Sequence, residues 1–115
     1  MNFQNFYIHF EAAIEKSVNL HLEYWRELQE ENPDVGKLQQ LGSFITLSID
    51  DSENLYERLL RINNNHLKTL EIFGNFLMHV VNNDIEGTRI LDRAEQIARN
   101  LELNRIIDSE KFKYD

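Results

Sequence analysis

Apolar residues recur along this chain at three- and four-residue steps, the spacing that gathers one face of an α-helix. Over residues 3–30 the line is Phe3, Tyr7, Phe10, Ile14, Val18, His21, Trp25 and Leu28, widened by Phe6, Leu22 and Tyr24. Glu11, Glu15, Lys16, Asn19, Glu23, Arg26 and Gln29 fall on the opposite, wet side. Asn32-Pro33 closes this helix and opens the next. The residue before a proline leaves the helical region, and proline suits a first helical position with Asn32 as its cap. The second helix is predicted from Pro33 to Ile62, buried along Leu38, Leu41, Ile45, Ser48, Ser52, Leu55, Leu59 and Ile62. Gly42, Ser43, Ser48 and Ser52 keep part of that helix small, which suits close helix approach or a bend, and residues 48–54 are its weakest stretch.

Asn63-Asn64-Asn65 is a turn that caps a third helix, roughly His66 to Val81, apolar at Leu67, Leu70, Phe73, Leu77, Val80 and Val81. Gly74 lies inside it, at a cost of about 1 kcal/mol against alanine. Such a glycine implies a neighbouring helix pressed against the backbone. Asn83, with Glu86 three residues on, is a capping signal. The fourth helix then runs to about Leu101 or Leu103, lined by Ile90, Leu91, Ala94, Ile97, Ala98 and Leu101. The expected fold is all-α: four main helices as stacked antiparallel hairpins, with a four-helix bundle as the alternative. One domain is expected over residues 1–103, with 104–115 as a helical extension or a frayed tail that mixes Ile106, Ile107, Phe112 and Tyr114 with charges.

Composition agrees with helices. Four glycines and one proline in 115 residues are too few for the turns of a strand-rich domain. The formal charge of −8 repels nucleic-acid backbones, and Lys111 and Lys113 are too sparse for a phosphate-binding patch. The acidic surface serves solubility first. No cysteine is present, which excludes disulfides, thiol catalysis and zinc ribbons. That fits a reducing, cytoplasmic setting. The N-terminus lacks a basic region followed by an apolar core, so it is no signal peptide. No apolar run approaches the roughly 18 residues of a membrane span, so no membrane insertion is expected.

Candidate chemistry is thin. His9, His21, His66 and His79 lack metal spacing, and a zinc site needs three or four convergent donors. Asp50, Asp51 and Glu53 lack the alternating ligands and glycine of a calcium loop. Phosphate-binding loops, dinucleotide fingerprints and serine nucleophile elbows are missing. The reading is therefore non-enzymatic, with no catalytic residue, cofactor or metal. Trp25 is assigned to the core by its large area, anchoring the first helix over the second and third. The one functional alternative among the aromatics is that Phe3, Phe6 and Phe10 lie exposed as a contact patch for another chain or domain.

The segment Tyr56 to Arg99 reads helix end, Asn-rich turn, helix, acidic turn, helix, as in tetratricopeptide-type repeats. Tyr56, Leu59 and Asn64 fit the end of one repeat, and Gly74, Gly87, Leu91 and Ala94 fit most of another. The first two helices are too long for units of about 34 residues, so the repeats are irregular. The joint order of Trp25, Asn32-Pro33, Leu41-Gly42, Phe73-Gly74-Asn75-Phe76-Leu77, Asn83-Asp84, Glu86-Gly87 and Leu91 with Ala94 resembles the TPR-like region of TmcB-like protist proteins. That resemblance covers most of residues 11–100. It implies a segment or truncated relative of large transmembrane proteins, in which this region lies on the cytoplasmic side, commonly before a PAS sensor domain.

Two functional expectations follow. The first is a helical interaction or scaffold module whose partner is a protein: a peptide, a helix or a neighbouring domain. The second, implied by the resemblance, is a structural relay between a membrane region and a PAS-type sensor in signalling.

Overall fold

The computed structural model describes residues 2–114, with side chains described to residue 111. Helix α1 spans Phe3–Leu28, α2 Val35–Ile62, α3 Leu67–Phe76 and α4 Asp84–Tyr114, with a π-helical turn Leu77–Val81 continuing α3. No strand occurs among the described residues. The chain divides into two compact units, residues 1–64 and 65–115. Each is an antiparallel helical hairpin, α1 against α2 and α3 with its π turn against α4.

The first hairpin is zipped along a seam of alternating three- and four-residue steps. On α2 the seam is the one expected: Leu41, Ser48, Ser52 and Leu59 are buried, and Leu38, Ile45 and Leu55 half-buried. Ile62 at its end is half-exposed. On α1 the seam runs through Phe3, Tyr7, Phe10, Ile14, Ser17, His21 and Tyr24. A strict 3.5-residue repeat keeps two helices facing one another over many turns. The expected line drifted off this seam at Val18 and Trp25. Trp25 is 56% exposed and is not the core anchor the sequence reading made it. The seam needs Ser17 and Tyr24 at those levels, and a small polar residue carries no hydrophobic signal.

Antiparallel register is fixed by several pairs. Ser17 Oγ and Ser48 Oγ lie 2.8 Å apart in the buried seam. Phe10 and Tyr56 pack with their rings tilted by 36° at 6.3 Å between centroids, and the Arg58 guanidinium sits over the Phe6 ring. At the turn, the Glu27 carboxylate accepts from the Asp34 backbone N–H at 2.9 Å and lies 3.6 Å from Lys37 Nζ. Asp34 caps α2 by accepting from Lys37 N–H at 3.1 Å. The cap therefore sits two residues beyond the expected Asn32, because Asp34 supplies a carboxylate where the chain is already extended. The serines do not break α2, which is continuous through residues 48–54.

The second hairpin is built on glycines. A Cβ at Gly74 would stand 2.7 Å from Leu91 Cγ and Cδ2, and one at Gly87 2.7 Å from Met78 Cγ and 3.1 Å from its backbone nitrogen. The close approach expected at Gly74 is present, and Gly87 repeats it one layer further along. His66, not an asparagine, caps α3: its Nδ1 accepts from Thr69 N–H at 3.3 Å. The π turn ends at Asn82, the one non-glycine residue with a left-handed backbone among those described (φ 62°). Asn82 N–H and Asn83 N–H both donate to the Leu77 carbonyl. Asn83 then caps α4 as expected, accepting from Glu86 N–H at 3.3 Å. α4 continues past the expected Leu101 or Leu103. The Phe112, Lys113 and Tyr114 side chains and all of Asp115, which the tail expectation included, lie outside the described residues.

Candidate protein-binding surface

The buried polar groups are structural. Ser17, Ser48, Ser52 and Thr69 are buried, and no buried side-chain polar atom among the described residues lacks a partner. The Ser48 hydroxyl lies within donating distance of both the Ile45 carbonyl, at 2.7 Å, and Ser17 Oγ, at 2.8 Å. Ser52 donates to the Ser48 carbonyl at 2.8 Å. His21 Nδ1 lies 2.7 Å from the Ser17 carbonyl, the geometry of a donated hydrogen bond inside the same helix. Among the described residues no three His, Asp or Glu side chains cluster as metal ligands. Asp50, Asp51 and Glu53 are all exposed.

The aromatic patch proposed from sequence does not assemble as expected. Phe10 is fully buried against Tyr56, so it cannot meet a partner in this fold. It occupies the seam, and the helical repeat that placed it on one stripe with Phe3 is the reason it is inside. Phe3 and Phe6 are half-buried, Phe3 stacked on Tyr7 and Phe6 beneath Arg58.

A different surface is open. A groove of about 380 Å³ runs between α1 and α2, lined by Lys16, Leu20, Phe44, Leu47, Ser48 and Asp51. Phe44 is 45% exposed and Leu47 61%. A second hollow of about 360 Å³ on α1 shares Lys16 and Leu20 and adds Glu15 and Glu23. Sequence reading missed these residues because each helix alone places them on the flank of its stripe. The available signal was the i, i+3, i+7 run Phe44, Leu47, Asp51, a second stripe beside the seam. Charge differs between the hairpins. On α4, Glu86 pairs with Arg89, Glu95 with Arg99, and Glu102 with Arg105. The hydrogen bond from Arg89, aided by its charge and opposed by slight burial, holds the Glu86 carboxyl below the usual glutamate range. Glu15, Glu23 and Asp51 pair with no cation among the described residues.

Antiparallel helical hairpins of this kind, closed by small residues, are the elements of a helical repeat. A family model described as TmcB, TPR repeats, matches residues 1–104. The chain belongs to that family. Membership assigns the all-α architecture to helical repeats rather than to a four-helix bundle. Among curated proteins, Tiny macrocysts protein B of Dictyostelium discoideum is 28% identical over 97 residues, covering 84% of this chain and 7% of the relative. The chain thus spans a small part of that relative's length. No solved structure gives a significant match. Within the TmcB TPR-repeat family the Gly74, Gly87, Leu91 and Ala94 landmarks acquire a physical meaning: Gly74 admits the Leu91 side chain, Gly87 admits Met78 of the π turn, and Ala94 is buried. No helix among the described residues is long and apolar enough to cross a membrane.

Proposed function

We propose that this chain is a non-enzymatic protein-interaction module, with residues 1–103 acting as one domain within a cytoplasmic or membrane-linked assembly. One observation carries the reading: Phe44 and Leu47 stay exposed beside a groove on a hairpin whose buried polar groups are otherwise satisfied. Exposed apolar surface rimmed by polar groups marks contact sites, and repeat hairpins present such surfaces to other proteins. The test is site-specific photo-crosslinking in the native cell, with a benzophenone side chain placed singly at exposed positions of each helix. Protein adducts concentrated on one face are expected. No protein adduct from any position would overturn the proposal.

A relay role within a longer signalling protein is the second reading, and α4 supports it. Residues 101–111 are exposed along a helix that continues well beyond its contacts with α3. A helix of this kind suits mechanical coupling to a following domain. Inserting one residue after Arg105 would rotate whatever follows by about 100°. Signalling by the parent protein should then be lost while partner adducts persist. Unchanged signalling would eliminate the relay.

A further inference from the structure

We propose that the α1–α2 groove floored by Leu20, Phe44 and Leu47 receives a basic amphipathic helix. The inference rests on the interaction reading above and names the surface and the chemistry of its partner.

The occupant is helical because of what the groove lacks. The backbone donors and acceptors of α1 and α2 are spent within their helices, so no edge is available to pair with an extended strand. A helix satisfies its own backbone and can lay one ridge into a furrow between two others. Phe44 and Leu47 are three residues apart on α2, and Leu20 faces them from α1. Three apolar contacts in that arrangement accept anchors at i, i+3 or i+4, and i+7 of an incoming helix.

The occupant is basic because of the rim. Asp51 stands in the groove, and Glu15 and Glu23 flank it on α1. These carboxylates form no ion pair among the described residues, in contrast to the paired acids of α4. Residues 1–64 carry eleven carboxylates against five Lys and Arg, a net charge of −6. Glu15 and Glu23 are eight residues apart on one helix, about 12 Å at 1.5 Å per residue. Lys or Arg residues two turns apart on the partner match that span. Lys16 lies between them in sequence and also lines the groove. It disfavours an unbroken line of cations, so the partner's charges flank its apolar ridge.

The probe is an amidated 18-residue Leu/Lys amphipathic helix, with a Leu/Glu peptide of the same apolar pattern as its counterpart. Both are titrated into the full chain by calorimetry and by backbone amide NMR. The Lys peptide is expected to shift the amides around Leu20, Phe44 and Leu47, and to bind at least tenfold tighter than the Glu peptide. Phe44→Ser with Leu47→Ser should weaken it at least tenfold, while Leu103→Ser with Ile106→Ser on α4 leaves it unchanged. Glu15→Gln, Glu23→Gln and Asp51→Asn together remove charge without touching the floor and should also weaken it at least tenfold. Equal binding of both peptides, indifference to the Phe44 and Leu47 changes, or a dimer of the free chain dissolved by those changes would overturn the inference. The interaction reading survives any of these if adducts form on another face, and falls only if no face gives them.

Discussion

Gly87 and Gly74 decide how closely the second hairpin packs. At each, a methyl group would gain helix propensity of up to about 1 kcal/mol, and at each it would meet atoms at 2.7 Å. The neighbour decides the balance. At Gly74 the obstacle is the Leu91 side chain, which can shift; at Gly87 it includes the Met78 backbone nitrogen at 3.1 Å, which is held in the π turn. Overpacking of this kind costs about 1–3 kcal/mol. Urea denaturation should therefore show Gly87→Ala destabilised by more than Gly74→Ala, and Leu91→Ala should recover part of the Gly74→Ala loss in a double-mutant cycle. Equal stability of Gly87→Ala and the parent would mean the hairpin is looser than described. Tyr7 offers a second test. Burial, and then the charge of Glu11, raise its phenol above the usual value. A group with a raised folded value contributes stability fully below its unfolded value of about 10, and that stability is lost as pH rises through the folded one. Tyr7→Phe should accordingly lose less stability than the parent between neutral pH and pH 11, followed by thermal melts.

The seam of the first hairpin is small in its middle: Ser48 and Ser52 are buried there as expected, and Ser17 is buried where Val18 was expected. Making that layer more hydrophobic should not help. Ser48→Leu places a branched side chain where a Ser17–Ser48 contact of 2.8 Å closes the gap, and should cost about 1–3 kcal/mol by chemical denaturation. An increase in stability would show that the layer has room. The same serines explain what the sequence disclosed. The α2 seam was legible because its eight positions keep strict three- and four-residue steps between apolar or small residues, and all but Ile62 are buried or half-buried. Past Ile14 the α1 seam was legible at His21 but drawn through Val18 and Trp25 in place of Ser17 and Tyr24, because Ser17 looks polar while Val18 and Trp25 look like core. The π turn was invisible: it depends on Asn82 adopting a left-handed backbone and on Met78 meeting Gly87, neither of which has a periodic signature. Past Leu103 the sequence left α4 open between a helical extension and a frayed tail. Its apolar line stops near Leu101, but the helix is carried on by local pairs such as Arg105 Nη2 to Glu102 at 2.6 Å. The groove required two helices to be seen together, since Leu20 comes from one and Phe44 and Leu47 from the other.

Across the whole chain the charge is divided unevenly, and salt should separate the two units. Residues 1–64 carry −6 of the total −8, with a single described ion pair, Lys37 to Glu27. Residues 65–115 carry −2 and hold three described Glu–Arg pairs along α4. Self-repulsion of like charges opposes a compact state, whereas exposed pairs contribute about 0–1 kcal/mol each and are themselves screened. Salt lowers both terms, because at about 0.15 M the screening length is near 8 Å. In the first unit the repulsion dominates, so its amides should exchange more slowly as NaCl rises from 20 to 200 mM. In the second the attractive pairs dominate, so α4 amides beyond Ala98 should exchange slightly faster over the same range. Residues 101–111 are exposed and should already be the least protected helical stretch at low salt. Hydrogen exchange by mass spectrometry reads both units in one sample. If the two hairpins respond with the same sign, the charge in residues 1–64 is neutralised in a way the separate hairpins do not account for, and the unpaired carboxylates around the Leu20 groove are not available to a basic partner.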